Sequence, residues 1–167
     1  MLFYGAPREL RKIALLYPAS PQAEIISLAI RDNKYIPVLF NNVQHLLSRM
    51  KDEYGKEEFH IALFALRARR FIGGGYSDLA FDIGRYLLAN HPSVAIAGID
   101  NGGSRASIDY LRERGIRILD PNDIETDLSS FIEFVEELNG QGILFADHFA
   151  SQKKQSQQQS LERRLVA

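Results

Sequence analysis

The sequence predicts a single α/β domain in which a five-stranded parallel sheet is covered by helices on both faces. The chain has 167 residues, of which 46% are apolar, and this is enough for one buried core. Five short apolar runs alternate with five segments of helical periodicity. Neighbouring parallel strands need a covering connection, which a helix after each strand supplies.

The first strand and helix follow one another directly. Residues 12–17 form a nearly continuous apolar run, typical of a strand buried on both faces. Ser20 and Pro21 then predict a helix N-cap and first turn. Apolar residues continue at helical spacing as far as Asn33, where we expect the helix to end.

The second strand is predicted at residues 35–40, and Pro37 inside it favours an edge position in the sheet. Asn41 or Asn42 is expected to cap a helix that continues to about Tyr54.

Residues 60–66 predict the third strand, a buried one. The three glycines at 73–75 predict a long loop after it. We expect the next helix to start at Ser77-Asp78 and to cover Leu79 to Asn90.

Two further strands are predicted at residues 94–99 and 116–119, with a helix between them that closes at Gly115. A last helix is expected to begin at Asn122 or Asp123 and to reach Leu138. The apolar run at residues 142–146, with His148 and Phe149 after it, fits no element clearly.

Composition excludes several classes of protein. The chain has no cysteine, so disulfides and thiolate-bound zinc are ruled out. The net charge of −1 gives no general attraction to nucleic acid or an anionic membrane, and no apolar run is long enough for a membrane span. We therefore expect a cytoplasmic protein, with residues 1–150 as the domain. Residues 151–167, rich in Gln and Ser, are expected to be a flexible tail or the start of a linker helix.

The order and spacing of these units resemble the receiver domain of two-component response regulators, which has a flavodoxin-like fold. Residues 92–99 (PSVAIAGI) and 107–121 (SIDYLRERGIRILDP) carry the resemblance most closely. They are similar to the family's fourth strand, its fourth helix, the glycine before the fifth strand and the proline after it. The resemblance implies a doubly wound sheet with strand order 2-1-3-4-5.

The residues that receivers use to accept phosphate are missing from the corresponding positions. An acidic pair would fall on Tyr17 and Pro18, the nucleophilic aspartate on Ala65, the hydroxyl near Gly98 or Ile99 and the lysine on Asp120. Mg²⁺ needs hard oxygen ligands, and a methyl group cannot attack phosphorus. We therefore expect a phosphorylation-incompetent pseudo-receiver without catalytic residues, cofactor or metal.

If the chain cannot bind phosphate, its surface is the remaining feature that could carry a function, by contacting other proteins. In receivers the face made by the fourth helix, fifth strand and fifth helix pairs with a second copy or with a partner. The residues that would present this face here are Tyr110, Arg114, Arg117, Asp127 and Glu133. We expect homodimerisation, or docking of a signalling protein or an attached effector, through it. The same residues are also consistent with ordinary solvated charges.

A nucleotide-sensing domain is the alternative from a different class. Ligands of open α/β sheets bind beyond the carboxyl ends of the strands. The residues that would hold a phosphate or nucleotide there are Arg67, Arg69, Arg70, Gly74 and Ser77, where Ser77 is taken as the helix N-terminus. Arg117 and Asp120 also have the Arg-x-x-Asp spacing of cyclic di-GMP sites, a pattern that often occurs by chance. Solvated arginines and a flexible loop explain the same pattern.

An enzyme is the third option, and it has the least support. The histidines show no metal-ligand spacing; they are His45, His60, His91 and His148. Asp100 and Asp120 are predicted to share the carboxyl edge of the sheet, where paired carboxylates bind metal or share a proton, but nothing else in the sequence supports such a site.

Overall fold

A five-stranded parallel sheet forms the centre of the computed structural model, which describes residues 12–141. In chain order the described strands are β1 (Lys12–Leu16), β2 (Ile36–Phe40), β3 (Ile61–Ala65), β4 (Arg67–Arg69), β5 (Tyr76–Asp78), β6 (Ala95–Ile99) and β7 (Arg117–Leu119). The main sheet has the order β2-β1-β3-β6-β7, and every pairing in it is parallel. The predicted fold class and strand order are thus confirmed.

Helices cover both faces of this sheet. They are α1 (Pro21–Asp32), α2 (Val43–Ser48), α3 (Ala80–Asn90), α4 (Arg105–Glu113), α5 (Pro121–Thr126) and α6, helical at residues 128–141. Two predicted N-caps are confirmed. Ser20 Oγ accepts from the Ala23 amide at 3.2 Å, and Asn42 Oδ1 accepts from the His45 amide at 2.8 Å.

The alternation of side chains along each strand divides the core into two parts. In β1, Ile13 and Leu15 face α1, α5 and α6, whereas Ala14 and Leu16 face α2, α3 and α4. β3 is completely buried and contributes to both parts. This explains why the strand sequences are continuously apolar.

The region after β3 differs from the prediction of a plain loop. β4 and β5 form a short antiparallel hairpin, with Arg67 opposite Asp78 and Arg69 opposite Tyr76. Ser77 therefore lies in a strand and not at a helix N-terminus, and α3 begins only at Ala80. The glycine triplet belongs to the turn of the hairpin, where Gly73 has φ +82°.

The prediction that the second helix reaches Tyr54 is also wrong, because α2 ends at Ser48. Local turn chemistry competes with the helix here. Asp52 Oδ1 accepts from the amides of Tyr54 and Lys56, at 2.8 and 2.9 Å. Met50 then turns into the core and is completely buried.

The last predicted helix is two helices. α5 starts at Pro121, with Asp120 as its N-cap, and ends at Thr126. Asp127 then accepts from the amide and the hydroxyl of Ser130, at 3.1 and 2.7 Å, which starts α6. The predicted domain boundary at residue 150 and the tail at 151–167 lie outside the described residues. Within residues 12–141, no helix combines the length and the apolar character needed to cross a membrane.

Candidate functional site at the carboxyl edge of the sheet

Tyr17 and Pro18 follow β1, where a receiver has its acidic pair. The Tyr17 side chain is buried, and its hydroxyl donates to Gln22 Oε1. Burial, together with the nearby Glu125 carboxylate, raises the pKa of Tyr17. The phenol therefore stays neutral at physiological pH and gives no anionic ligand for Mg²⁺.

Ala65 ends β3, where a receiver has its nucleophile, and it is completely buried. The next residue, Leu66, is also completely buried and lies on the opposite face of the strand. A Cβ atom added at Gly103 would lie 2.5 Å from Leu66 Cδ1, and one added at Gly98 would lie 3.0 Å from Cδ2. The Leu66 side chain thus fills the space next to these glycines, so this point is closely packed with apolar atoms and holds no open cavity.

The β4–β5 hairpin continues directly from β3 and is fastened to the loops on both sides of it. The Asn101 side chain accepts from the Arg67 amide at 2.8 Å and donates to the Arg67 carbonyl at 3.0 Å. On the other side, Arg69 bridges to Asn42, and the Gln44 amide donates to the Arg70 carbonyl at 2.9 Å. The hairpin therefore connects the β6–α4 loop with the N-terminus of α2.

Asp78 makes the third connection of the hairpin. Its Oδ2 accepts from the Ser104 amide at 2.6 Å, and its Oδ1 accepts from the Ser107 hydroxyl at 3.1 Å and the Ala80 amide at 3.2 Å. Burial alone would raise the pKa of Asp78, but the hydrogen bonds from Ser104, Ala80 and Ser107 outweigh it and hold that pKa below its ordinary value. The carboxylate is ionised and fully used in tying the N-termini of α3 and α4 together.

Asp100 and Asp120, the two carboxylates predicted to share this edge, also accept hydrogen bonds from backbone amides. Asp100 Oδ1 accepts from the amides of Gly102 and Gly103, at 3.1 and 3.0 Å. Asp120 Oδ1 accepts from the Asn122 amide at 2.8 Å. Within residues 12–141 no three side chains of His, Cys, Asp or Glu come together in a way that would hold a metal ion.

The three arginines proposed to hold an anion contact groups of the hairpin and of α3. Arg67 Nη2 donates to the Tyr76 carbonyl at 3.3 Å, and the Arg69 guanidinium lies 4.5 Å from the centre of the Tyr76 ring. Arg70 pairs with Asp82 at 2.9 Å. Gly74 uses its amide in the turn, donating to the Phe71 carbonyl at 3.0 Å. An anion would have to compete with these contacts.

The residues predicted for a protein interface lie on α4, on β7, on α6 and at the junction of α5 and α6. Tyr110 on α4 is covered on both faces of its ring, by Phe81 with a centroid distance of 3.7 Å and by the Arg114 guanidinium at 3.5 Å. Arg117 on β7 lies over the Phe134 ring at 4.4 Å and pairs with Glu137.

A groove of about 500 Å³ lies along β7, α5 and α6. It brings together two of the predicted interface residues, Arg117 and Asp127, whereas Glu133 is exposed on α6 outside its lining. Hydrogen bonds from Ser130 lower the pKa of Asp127, which is therefore charged near neutral pH. The apolar lining, including Phe131 and Phe134, was not predicted, because helical apolar spacing indicates a core face equally well.

The comparisons with known proteins agree on the fold. No protein-family model and no curated protein matches the sequence. Among solved structures, the non-phosphorylated HemR receiver domain from Leptospira biflexa has a TM-score of 0.58 and 13% identity, covering 77% of this chain and 93% of that one.

Two further receiver structures are similar to the same degree. A CheY-like receiver domain protein from Methanospirillum hungatei has a TM-score of 0.57 and 13% identity, covering 79% of this chain and 96% of that one. The beryllofluoride-activated NtrC4 receiver domain dimer has a TM-score of 0.56 and 15% identity, covering 77% and 99%. At such identities the likeness concerns the fold and not the chemistry. This chain therefore has the flavodoxin-like α/β fold of response-regulator receiver domains.

Proposed function

We propose that this chain is a phosphorylation-independent signalling module, a pseudo-receiver that catalyses no reaction and acts through contacts with proteins in the cytoplasm. The observation that carries the proposal is Ala65. This residue lies at the end of the central strand, where receivers have their phosphoacceptor, and it is completely buried.

The surroundings of Ala65 support the same proposal. Phosphoryl transfer needs a nucleophile, a metal ion held by oxygen ligands and a cation that neutralises the developing charge. Here the corresponding positions hold a methyl group, a neutral phenol and a carboxylate that caps a helix. Restoring the site would require several simultaneous substitutions.

The test is incubation of the full chain with Mg²⁺ and acetyl phosphate, followed by intact mass spectrometry. A receiver domain with its aspartate in place serves as the positive control in the same buffer. We expect the mass of this chain to stay unchanged while the control gains a phosphoryl group. An acyl phosphate on any residue would contradict the proposal.

Contacts with a second copy or with a signalling partner would use the face formed by α4, β7 and α6. This face combines exposed charge, such as Arg117, with the stacked ring of Tyr110 and an apolar groove. The NtrC4 receiver similar to this chain forms a dimer when activated. Sedimentation equilibrium from about 1 to 100 µM tests self-association, because a monomer throughout this range would leave only partner docking.

Nucleotide sensing receives less support. The three arginines on which it depends contact the hairpin's own backbone, Tyr76 and Asp82. Calorimetric titration with cyclic di-GMP and ATP checks this, and we expect no heat of binding. A saturable heat lost on Arg69→Ala would favour the sensor instead.

A further inference from the structure

The groove along β7, α5 and α6 has an unusual charge. From residue 118 to residue 141 the sequence contains seven acidic residues and no lysine or arginine. Two of these acids, Asp123 and Asp127, line the groove. Arg117 also lines the groove, but it is already paired with Glu137. The field at this surface therefore favours a cationic occupant.

The floor of the groove is apolar. Leu119, Ile124, Phe131 and Phe134 line it, and the last three are almost completely buried. Its volume of about 500 Å³ lies within the range of clefts that bind ligands. An occupant that matches both properties has apolar side chains for the floor and positive charges for the acidic rim.

We propose that this groove binds the chain's own segment Leu161-Glu162-Arg163-Arg164-Leu165-Val166, which lies outside the described residues. Leu161 and Leu165 are four residues apart and would share one side of a helix. Arg164 would flank these leucines and meet Asp123 and Asp127 at the rim. Glu162 would lie on the opposite flank of the helix, away from these two acids.

The overall charges favour the same pairing. Residues 151–167 carry a net charge of +3, and the remainder of the chain carries −4. Opposite charges of this size attract each other, and the attraction weakens as salt screens them. The apolar floor then supplies the specific part of the contact.

The segment can reach the groove. Nineteen residues, 142–160, connect the described end of α6 with Leu161. When extended they span up to roughly 60 Å. The radius of gyration of a domain of this size is only about 14 Å. Chain length therefore does not limit binding within one molecule.

This inference concerns the face proposed above for partner docking, but it depends on the groove alone. A chain that accepts phosphate would disprove the proposed function and leave this contact untouched. If the contact forms, a partner has to displace residues 161–166 before it can use the groove.

Disulfide trapping tests the proposal in the full chain, because the chain has no native cysteine. Thr126 is exposed and lines the groove. The double variant Thr126→Cys/Ala167→Cys leaves both leucines of the segment in place and is oxidised mildly at low protein concentration. The matched control is Tyr54→Cys/Ala167→Cys, because Tyr54 is 78% exposed and lies on the α2–β3 connection outside the groove.

We expect the groove pair to form a disulfide within one chain at least about tenfold faster than the control pair, because binding raises the local concentration of the two thiols. Adding Arg163→Glu and Arg164→Glu should slow it towards the control rate. A further Asp123→Lys should restore part of the rate by reversing the charge of the rim. Equal rates for both pairs, no response to charge reversal, or disulfides only between chains would overturn the proposal.

Discussion

Asp78→Asn is the substitution whose effect follows most directly from the structure. The Asp78 carboxylate accepts three hydrogen bonds, the shortest of them 2.6 Å from the Ser104 amide. An asparagine of the same shape can still accept from Ala80 and Ser107 with its oxygen. Its NH₂ group then faces the Ser104 amide, where two donors meet, and the amide loses its partner. One hydrogen bond to a charged group is worth about 1.5–3 kcal/mol, so we expect the free energy of unfolding at pH 7 to fall by about 2 kcal/mol.

The same residue predicts a dependence on pH. The pKa of Asp78 in the folded protein lies below its ordinary value of 3.8. Because the folded pKa of Asp78 is lowered, its carboxylate stabilises the folded state when the pH is above the ordinary pKa of 3.8. This stabilisation is lost as the pH falls through the folded pKa. Urea unfolding at a series of pH values should therefore show the difference between native chain and variant shrinking below about pH 4.

Asp82→Asn is the matched control for this experiment. The Asp82 side chain is 60% exposed and pairs with Arg70 at 2.9 Å on the surface. Exposed pairs of this kind contribute less than about 1 kcal/mol. The reasoning would be refuted if Asp78→Asn cost no more than Asp82→Asn, or if its cost did not change on acidification.

Three other substitutions test the packing of the carboxyl edge by urea unfolding. Gly103→Ala should destabilise by about 1–3 kcal/mol, because its Cβ would lie 2.8 Å from Leu66 Cβ. In the control Gly140→Ala on α6, the added Cβ meets no atom within 4 Å, so this substitution should be neutral or stabilising. Equal effects of the two substitutions would contradict the predicted clash. Asn101→Ala should lower the free energy of unfolding by about 1–3 kcal/mol, because the part-buried amide and carbonyl of Arg67 lose their hydrogen-bond partners. The amides of the hairpin should then exchange with solvent faster, and unchanged exchange there would argue against this role. Ala65→Asp should lower the free energy of unfolding by about 3–5 kcal/mol, because it buries an unpaired carboxylate. We expect the variant to remain unphosphorylated. A stable variant that takes up phosphate would show that the site is open to phosphate.

The main sheet could be predicted because its determinants are local. Strands buried on both faces are read directly from apolar runs, and the caps at Ser20 and Asn42 are short-range signals. The β4–β5 hairpin could not be predicted in this way. Each of its strands has only three residues, and they are rich in arginine and polar side chains. It is held mainly by contacts far along the chain, such as the one between Arg67 and Asn101.

The candidate site shows the same division. That Ala65 ends the central strand follows from sequence register, and the structure places it there. The roles of Leu66 and Asp78 depend on which loops meet at the edge, and nothing in their sequence neighbourhood indicates this. The groove was missed for a related reason. The structure breaks the helix at Asp127, between α5 and α6. The apolar periodicity of the sequence continues through this residue and so does not indicate the break.

The stack of Phe81, Tyr110 and Arg114 limits how another molecule can recognise Tyr110. Both faces of the ring are already covered, so a binding partner can contact only the ring edge and the phenolic oxygen. Recognition there would depend on the direction of a single polar bond and not on aromatic overlap. Because a hydrogen bond weakens steeply as its angle departs from linear, only a partner that places its polar group in line with the Tyr110 hydroxyl would gain from this residue.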